Sequence, residues 1–107
     1  MRPLSETLTD LIGLAEETIT RPSKHYGFTP DQHFTGLATE VRRADALPAE
    51  GVRTTRAALV MVIALEEFFA GDREPTSQML MLAGATLPWL RGEAWAAMKN
   101  EKEARGS

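Results

Sequence analysis

The chain has 107 residues, of which 43% are hydrophobic and 25% charged, with a net charge of −3. That is one domain's length of chain with enough apolar content for a core, and it is not the composition of a disordered chain. The absence of cysteine excludes disulfide scaffolds, thiolate zinc sites, iron–sulfur clusters and cysteine nucleophiles, and a pI near 5.4 excludes a uniformly basic nucleic-acid coat.

No apolar run approaches the roughly 18–20 residues needed to span a bilayer. Arg2 is followed by Glu6 and Asp10 with no apolar h-region, which is not the pattern of a secretory signal. A cytoplasmic protein with no membrane contact is expected.

Proline, glycine and polar clusters at residues 21–30, 47–53 and 71–76 punctuate the chain, and the segments between them have helical length and period. In the first, Leu4, Leu8, Leu11, Ile12, Ala15 and Ile19 share one stripe, with Glu6, Asp10 and Glu17 opposite and Glu16 beside it. The second helix starts at a Thr29-x-x-Gln32 capping box with Pro30 in its first turn. Asp31 faces the positive end of the helix dipole there. Phe34, Leu37, Ala38, Val41 and Ala44 form its apolar stripe, and Leu47-Pro48 ends it.

The third helix starts at Thr54 or Thr55 and stops at Ala70-Gly71, where glycine suits the residue after a helix. Ala57 to Leu65 is apolar without interruption, so this helix is expected at the centre, covered on every side. The fourth segment follows Pro75, with Thr76 or Ser77 as cap. Met79, Leu80, Ala83, Leu87, Leu90, Ala94, Ala97 and Met98 keep one stripe across Pro88. Proline clashes with the carbonyl four residues back, that of Gly84, so a kink or break is expected at residues 84–88. The last helix should then end near Glu103, with residues 104–107 frayed.

The expected fold class is therefore all-α: one domain, residues 1–107, forming a compact bundle of four to five helices. The third helix is central, and the last segment is kinked or broken near Pro88. The helices fall at about 4–20, 30–46, 54–70, 76–87 and 89–103.

Chemistry-bearing residues are sparse. His25 and His33 are the only histidines, and the residue four after His33 is Leu37, so no paired metal ligands arise. Glu66-Glu67 follows the most apolar run, where a dry carboxylate would have a raised pKa. Adjacent helical residues point about 100° apart, so both cannot face one pocket. The favoured reading is a buried helix emerging into water. No metal site and no cofactor are expected.

Arg42, Arg43, Arg53 and Arg56 form the basic cluster, against Asp45 and Glu50. It can contact phosphates or an acidic partner, or pair with the acidic face of the first helix, which is favoured. A helix-turn-helix does not fit, because that motif needs a turn of about three or four residues. Met81, Leu82, Trp89 and Trp95 lie off the core stripe of the fourth segment, and Leu59 and Ile63 raise the same question on the third. Tryptophan and methionine are enriched in interface cores, so the first four are candidate partner-binding residues, with closure over the central helix as the other reading.

The stretch Tyr26-Gly27-Phe28-Thr29-Pro30-Asp31-Gln32-His33, leading to Leu37-Ala38-Thr39-Glu40 and the run Ala57 to Glu67, resembles MazG-like nucleotide pyrophosphohydrolases and small helical proteins of phages. The resemblance covers about residues 26–70. It implies hydrolysis of nucleoside triphosphates with magnesium held by carboxylates on two helices. Of that family's Glu-Glu-x-x-Glu motif only Glu40 matches, with Thr39 before it and Arg43 in place of the last acid. Residues 53–60 carry no acid where its Glu-x-x-Asp motif should fall. Magnesium takes oxygen ligands, so the resemblance implies a lost metal site.

The expected function is binding without catalysis: a regulator or inhibitor acting by protein–protein contact, of the phage or mobile-element anti-defence type, forming a homodimer. One alternative is a MazG-like enzyme with a rearranged site drawn from Glu16, Glu17, Glu40, Glu66 and Glu67. The other is a nucleic-acid-binding regulator using the arginine cluster.

Overall fold

The computed structural model describes residues 3–21, 32–46, 55–70 and 76–106. Thr29, Pro30, Leu47, Pro48, Arg53, Gly71 and His25 lie outside the described residues. Within them are four helices: α1 (Leu4–Thr20), α2 (Gln32–Ala46), α3 (Arg56–Ala70) and α4 (Ser77–Gly106). None is long and apolar enough to cross a membrane.

Each helix buries the stripe that its period predicts, with instructive exceptions. In α1, Leu8, Leu11 and Ala15 are buried, and Leu4, Ile12 and Ile19 pack partly against them. The same side also takes in Ser5, Thr7 and Thr18. Their hydroxyls are satisfied locally or across the bundle: Thr18 Oγ1 donates to the Leu14 carbonyl at 2.8 Å, and Thr7 Oγ1 donates to the Glu40 carboxylate of α2. Back-bonding of this kind lets a hydroxyl be buried in a helix without an orphaned donor.

From α2, Phe34, Leu37, Ala38 and Val41 are buried, and Phe34 meets Phe69 of α3 edge to face, with centroids 5.0 Å apart. Ala58, Met61, Val62, Leu65 and Phe68 carry α3 into the same core. The inner face of α4 is mostly small, with Ala83, Ala94 and Ala97 around Leu87 and Leu90.

Cross-helix contacts set the directions. Ser5 meets Glu101 and Glu16 meets Arg91, so α1 and α4 are antiparallel. Phe34 meets Phe69 while Thr55 Oγ1 donates to Asp45, so α2 and α3 are antiparallel. Ala57 meets Glu93 while Ile63 lies near Leu82, so α3 and α4 are antiparallel too. The result is an up-down-up-down bundle. Both α1 and α3 touch all three other helices, whereas α2 and α4 do not meet. The centre is therefore a diagonal pair, α1 with α3, and not α3 alone.

Two further expectations change. The third helix is not covered on every side: Val60 and Ile63 face solvent. Its neighbours stand on only three sides, and nine apolar residues in a row exceed what they can cover. Nor does the last segment divide into helices 76–87 and 89–103, because Ser77–Gly106 is a single helix with Pro88 inside it. Pro88 sits on the solvent face, and an added Cβ at Gly84 would meet nothing within 4 Å. The proline thus costs one helical hydrogen bond on the wet side, while Ala83, Leu87, Leu90 and Ala94 stay packed on the other. Thirty residues make a helix of about 45 Å, which accounts for the 49 Å long axis of the molecule.

Candidate functional site

Two carboxylates of α4 reach the first turns of α1 and α3. An α-helix begins with amides that have no intrahelical acceptor, and among the described residues no local side chain is seen to accept them at α1 or α3. The residue before α1 is Pro3, with no side-chain acceptor. Instead Glu101 reaches over from α4, accepting the Ser5 amide at 3.1 Å and the Ser5 hydroxyl at 2.5 Å. At the start of α3, Thr55 turns its hydroxyl to Asp45, and Glu93 accepts the Ala57 and Ala58 amides at 2.8 and 3.2 Å.

A carboxylate at a helix N-terminus also meets the positive end of the dipole. Glu93 is nonetheless half-buried, and desolvation pushes its carboxyl above the ordinary value of 4.5. The two amide bonds pull the other way, and the charge of Asp45 adds to the rise. The start of α4 is capped conventionally, by Thr76 Oγ1 on the Met79 amide at 3.2 Å.

With its inner face anchored, α4 turns an apolar outer face to solvent. Met81 is 74% exposed, Leu82 56%, Trp89 73%, Trp95 64% and Met98 52%. Ala85, Pro88, Gly92 and Ala96 are exposed between them. The sequence-derived candidates Met81, Leu82, Trp89 and Trp95 therefore lie together on one helix, outside the monomer core. Met98, placed on the core stripe by its spacing, belongs to the exposed group.

Two charges border this face. Arg91 pairs with Glu16 of α1, and Lys99 lies with its Nζ 5.4 Å from the centre of the Trp95 ring, a cation–π distance. Leu82 and Met79 continue the apolar surface toward α3, where Val60, Ile63, Ala64 and Glu67 complete a groove of about 190 Å³. At the other end, Trp95, Met98, Lys99 and Lys102 border a shallow concavity of about 580 Å³ beside Ser5. Leu59, by contrast, packs partly into the core.

One member of the basic cluster departs from the favoured expectation. Arg42 pairs with Glu66 of α3 and not with the first helix. Arg43 and Arg56 are exposed on α2 and α3. The acids proposed for a rearranged enzyme site are dispersed: Glu16 is held by Arg91, Glu40 accepts from Thr7, Glu66 holds Arg42, and Glu17 and Glu67 are exposed. Among the described residues no three His, Cys, Asp or Glu side chains come together as a metal-binding group. His33 is exposed on α2, and the stretch from Tyr26 to Asp31 lies outside the described residues.

Sequence reasoning missed Glu93 and Glu101. The available signal was negative: no acid stands in the first turn of α3 and no side-chain cap precedes α1. Neither a protein-family model, nor a curated protein, nor a solved structure matches this chain.

Proposed function

We propose that this chain is a non-catalytic helical binding protein, a cytoplasmic regulator or inhibitor that works by protein–protein contact and pairs with itself through the outer face of α4. The observation that carries the reading is the exposure of Met81, Leu82, Trp89 and Trp95 on one uninterrupted helix. Two tryptophans held in water on a rigid element are costly for a monomer, and apolar patches of several hundred Å² mark interaction sites. The dispersal of Glu16, Glu40 and Glu66 into separate contacts supports binding over metal-assisted hydrolysis, because magnesium chemistry needs converging oxygens. A twofold pairing lets one surface serve both subunits.

Sedimentation across a wide concentration range tests the reading. The wild type should run as a dimer at tens of micromolar. Trp89→Ala or Trp95→Ala should each weaken association about thirtyfold, from a loss of about 2 kcal/mol at an interface anchor. Their melting temperatures extrapolated to the monomer should change little. A single-chain mass at tens of micromolar for the wild type refutes it.

A further inference from the structure

The exposed face of α4 carries more order than exposure alone. Met81, Ala85, Pro88, Gly92, Trp95 and Lys99 recur at spacings of four, three, four, three and four. These positions form one line along the helix, on the side away from its own bundle, with bulky Met81 and Trp95 near its ends and small residues between them. All six are exposed. Leu82, Trp89 and Ala96 flank this line on the α3 side, seven residues apart, and Arg91 and Met98 flank it on the α1 side. The inner stripe through Ala83, Leu90, Ala94 and Ala97 is a separate set that holds α4 to the bundle.

We infer that the occupant of this face is the α4 of a second copy of this chain, running antiparallel and crossing at Leu90, so that Trp95 of each chain packs over Ala85 of the other. This deepens the self-association proposed above and rests on it.

The register follows from size. An antiparallel seam sets each residue against the one whose number completes a fixed sum, and centring on Leu90 opposes Met81 to Lys99, Ala85 to Trp95 and Pro88 to Gly92. On the seam, Trp95 then meets the small Ala85 and Met81 the flexible stem of Lys99, which is what close packing requires. A parallel pairing would stack Trp95 on Trp95 and leave Ala85 and Gly92 facing themselves across a gap.

Area and charge agree. At roughly 150–250 Å² for a full aromatic side chain, the exposed parts of Trp89 and Trp95 offer about 300 Å². Met81, Leu82, Met98 and the small residues bring the face to about 600 Å² per chain, the lower edge of what specific complexes bury. The crossing brings Arg91 near its own counterpart, but each is already neutralised by Glu16 of its own α1, so no net repulsion arises there. The dimer is accordingly one of modest affinity, in keeping with a face that has to survive in water as a monomer.

The absence of cysteine makes the test direct. Met81→Cys and Lys99→Cys are made as separate chains with distinguishable masses, both at exposed positions, mixed, and oxidised gently. The inferred register joins the thiol at position 81 of one chain to the thiol at position 99 of the other and gives mixed covalent dimers. Like positions are then separated by eighteen residues, about 27 Å along the helix. Products linked 81 to 81 or 99 to 99 in preference overturn the register while leaving self-association standing. A single-chain mass for both variants and for the wild type at tens of micromolar overturns both.

A swap gives the second readout. Ala85→Trp alone should weaken pairing about tenfold or more by placing tryptophan on tryptophan, and Ala85→Trp with Trp95→Ala should restore it to within about threefold, since the bulk and the hole have changed places. Failure of the double variant to recover, with its helical content intact, also refutes the register.

Discussion

Replacing Glu93 separates two effects that oppose each other in one side chain. Its carboxylate caps α3 through the Ala57 and Ala58 amides, and those bonds favour the ionised form. Its half-burial opposes ionisation more strongly, so the folded-state pKa stands above the ordinary 4.5. The sign then follows. A group whose pKa is raised by folding contributes stability that is fully present below its unfolded value and is lost as pH rises through its folded value. Glu93→Ala removes both acceptor bonds, leaving two amides in the first turn to find water. Capping losses run about 0.5–2 kcal/mol, and a half-wet site belongs in the middle, near 1 kcal/mol. For a domain of this size that is a fall of about 4–6 °C in melting temperature. Glu93→Gln keeps an oxygen for the amides and cannot ionise. Chemical denaturation of wild type and Glu93→Gln at several pH values between 4 and 7 is the assay. The wild type's stability relative to the glutamine variant should decline as pH rises across that window. A relative stability that grows with pH would show that the amides outweigh desolvation, and the reasoning would fall.

Two other positions give sharp expectations. Glu101→Ala should cost about 0.5–1.5 kcal/mol and raise hydrogen exchange at the Ser5 amide while the centre of α3 stays protected; unchanged exchange at Ser5 would mean that the cap is made some other way. Pro88→Ala should raise the melting temperature of the monomer, because it returns a helical hydrogen bond to the Gly84 carbonyl at an exposed position where proline costs up to about 3 kcal/mol relative to alanine. A fall measured under monomer conditions would show that the proline fits the helix better than alanine there.

Much of the bundle is legible in the sequence because period reports burial. The stripes of α1 and α2 each show a clear apolar and a clear polar side, and the buried residues Leu8, Leu11, Phe34 and Val41 fall on the predicted ones. In α3 the run Ala57 to Leu65 has no polar residue to mark the wet side, so the outward turn of Val60 and Ile63 depends on where α1, α2 and α4 stand. Pro88 is a strong local signal for a break, overridden because the apolar face of α4 continues on its opposite side. Trp89 and Trp95 are readable as off-stripe, but whether they leave the monomer depends on the bundle having no element on that side. The caps are the least legible feature of all. Glu93 reaches amides 35 and 36 residues away and Glu101 reaches Ser5 across 96, and no local pattern encodes such a partner.

The Ser5–Glu101 contact also constrains when the molecule can become itself. Its two ends are 96 residues apart, so during synthesis α1 leaves the ribosome long before its acceptor exists. At about 5–20 residues per second, Ser5 waits several seconds or more for Glu101. Throughout that interval the α4-facing sides of α1 and α3 are open to water. Short isolated helices are marginal on their own, so the early segments hold only partial order while the chain grows. Native closure is consequently an event of the finished helix α4, which docks on both partners and completes the first turn of each. Until then the growing chain carries the apolar residues of α1, α2 and α3 without the wall that α4 supplies.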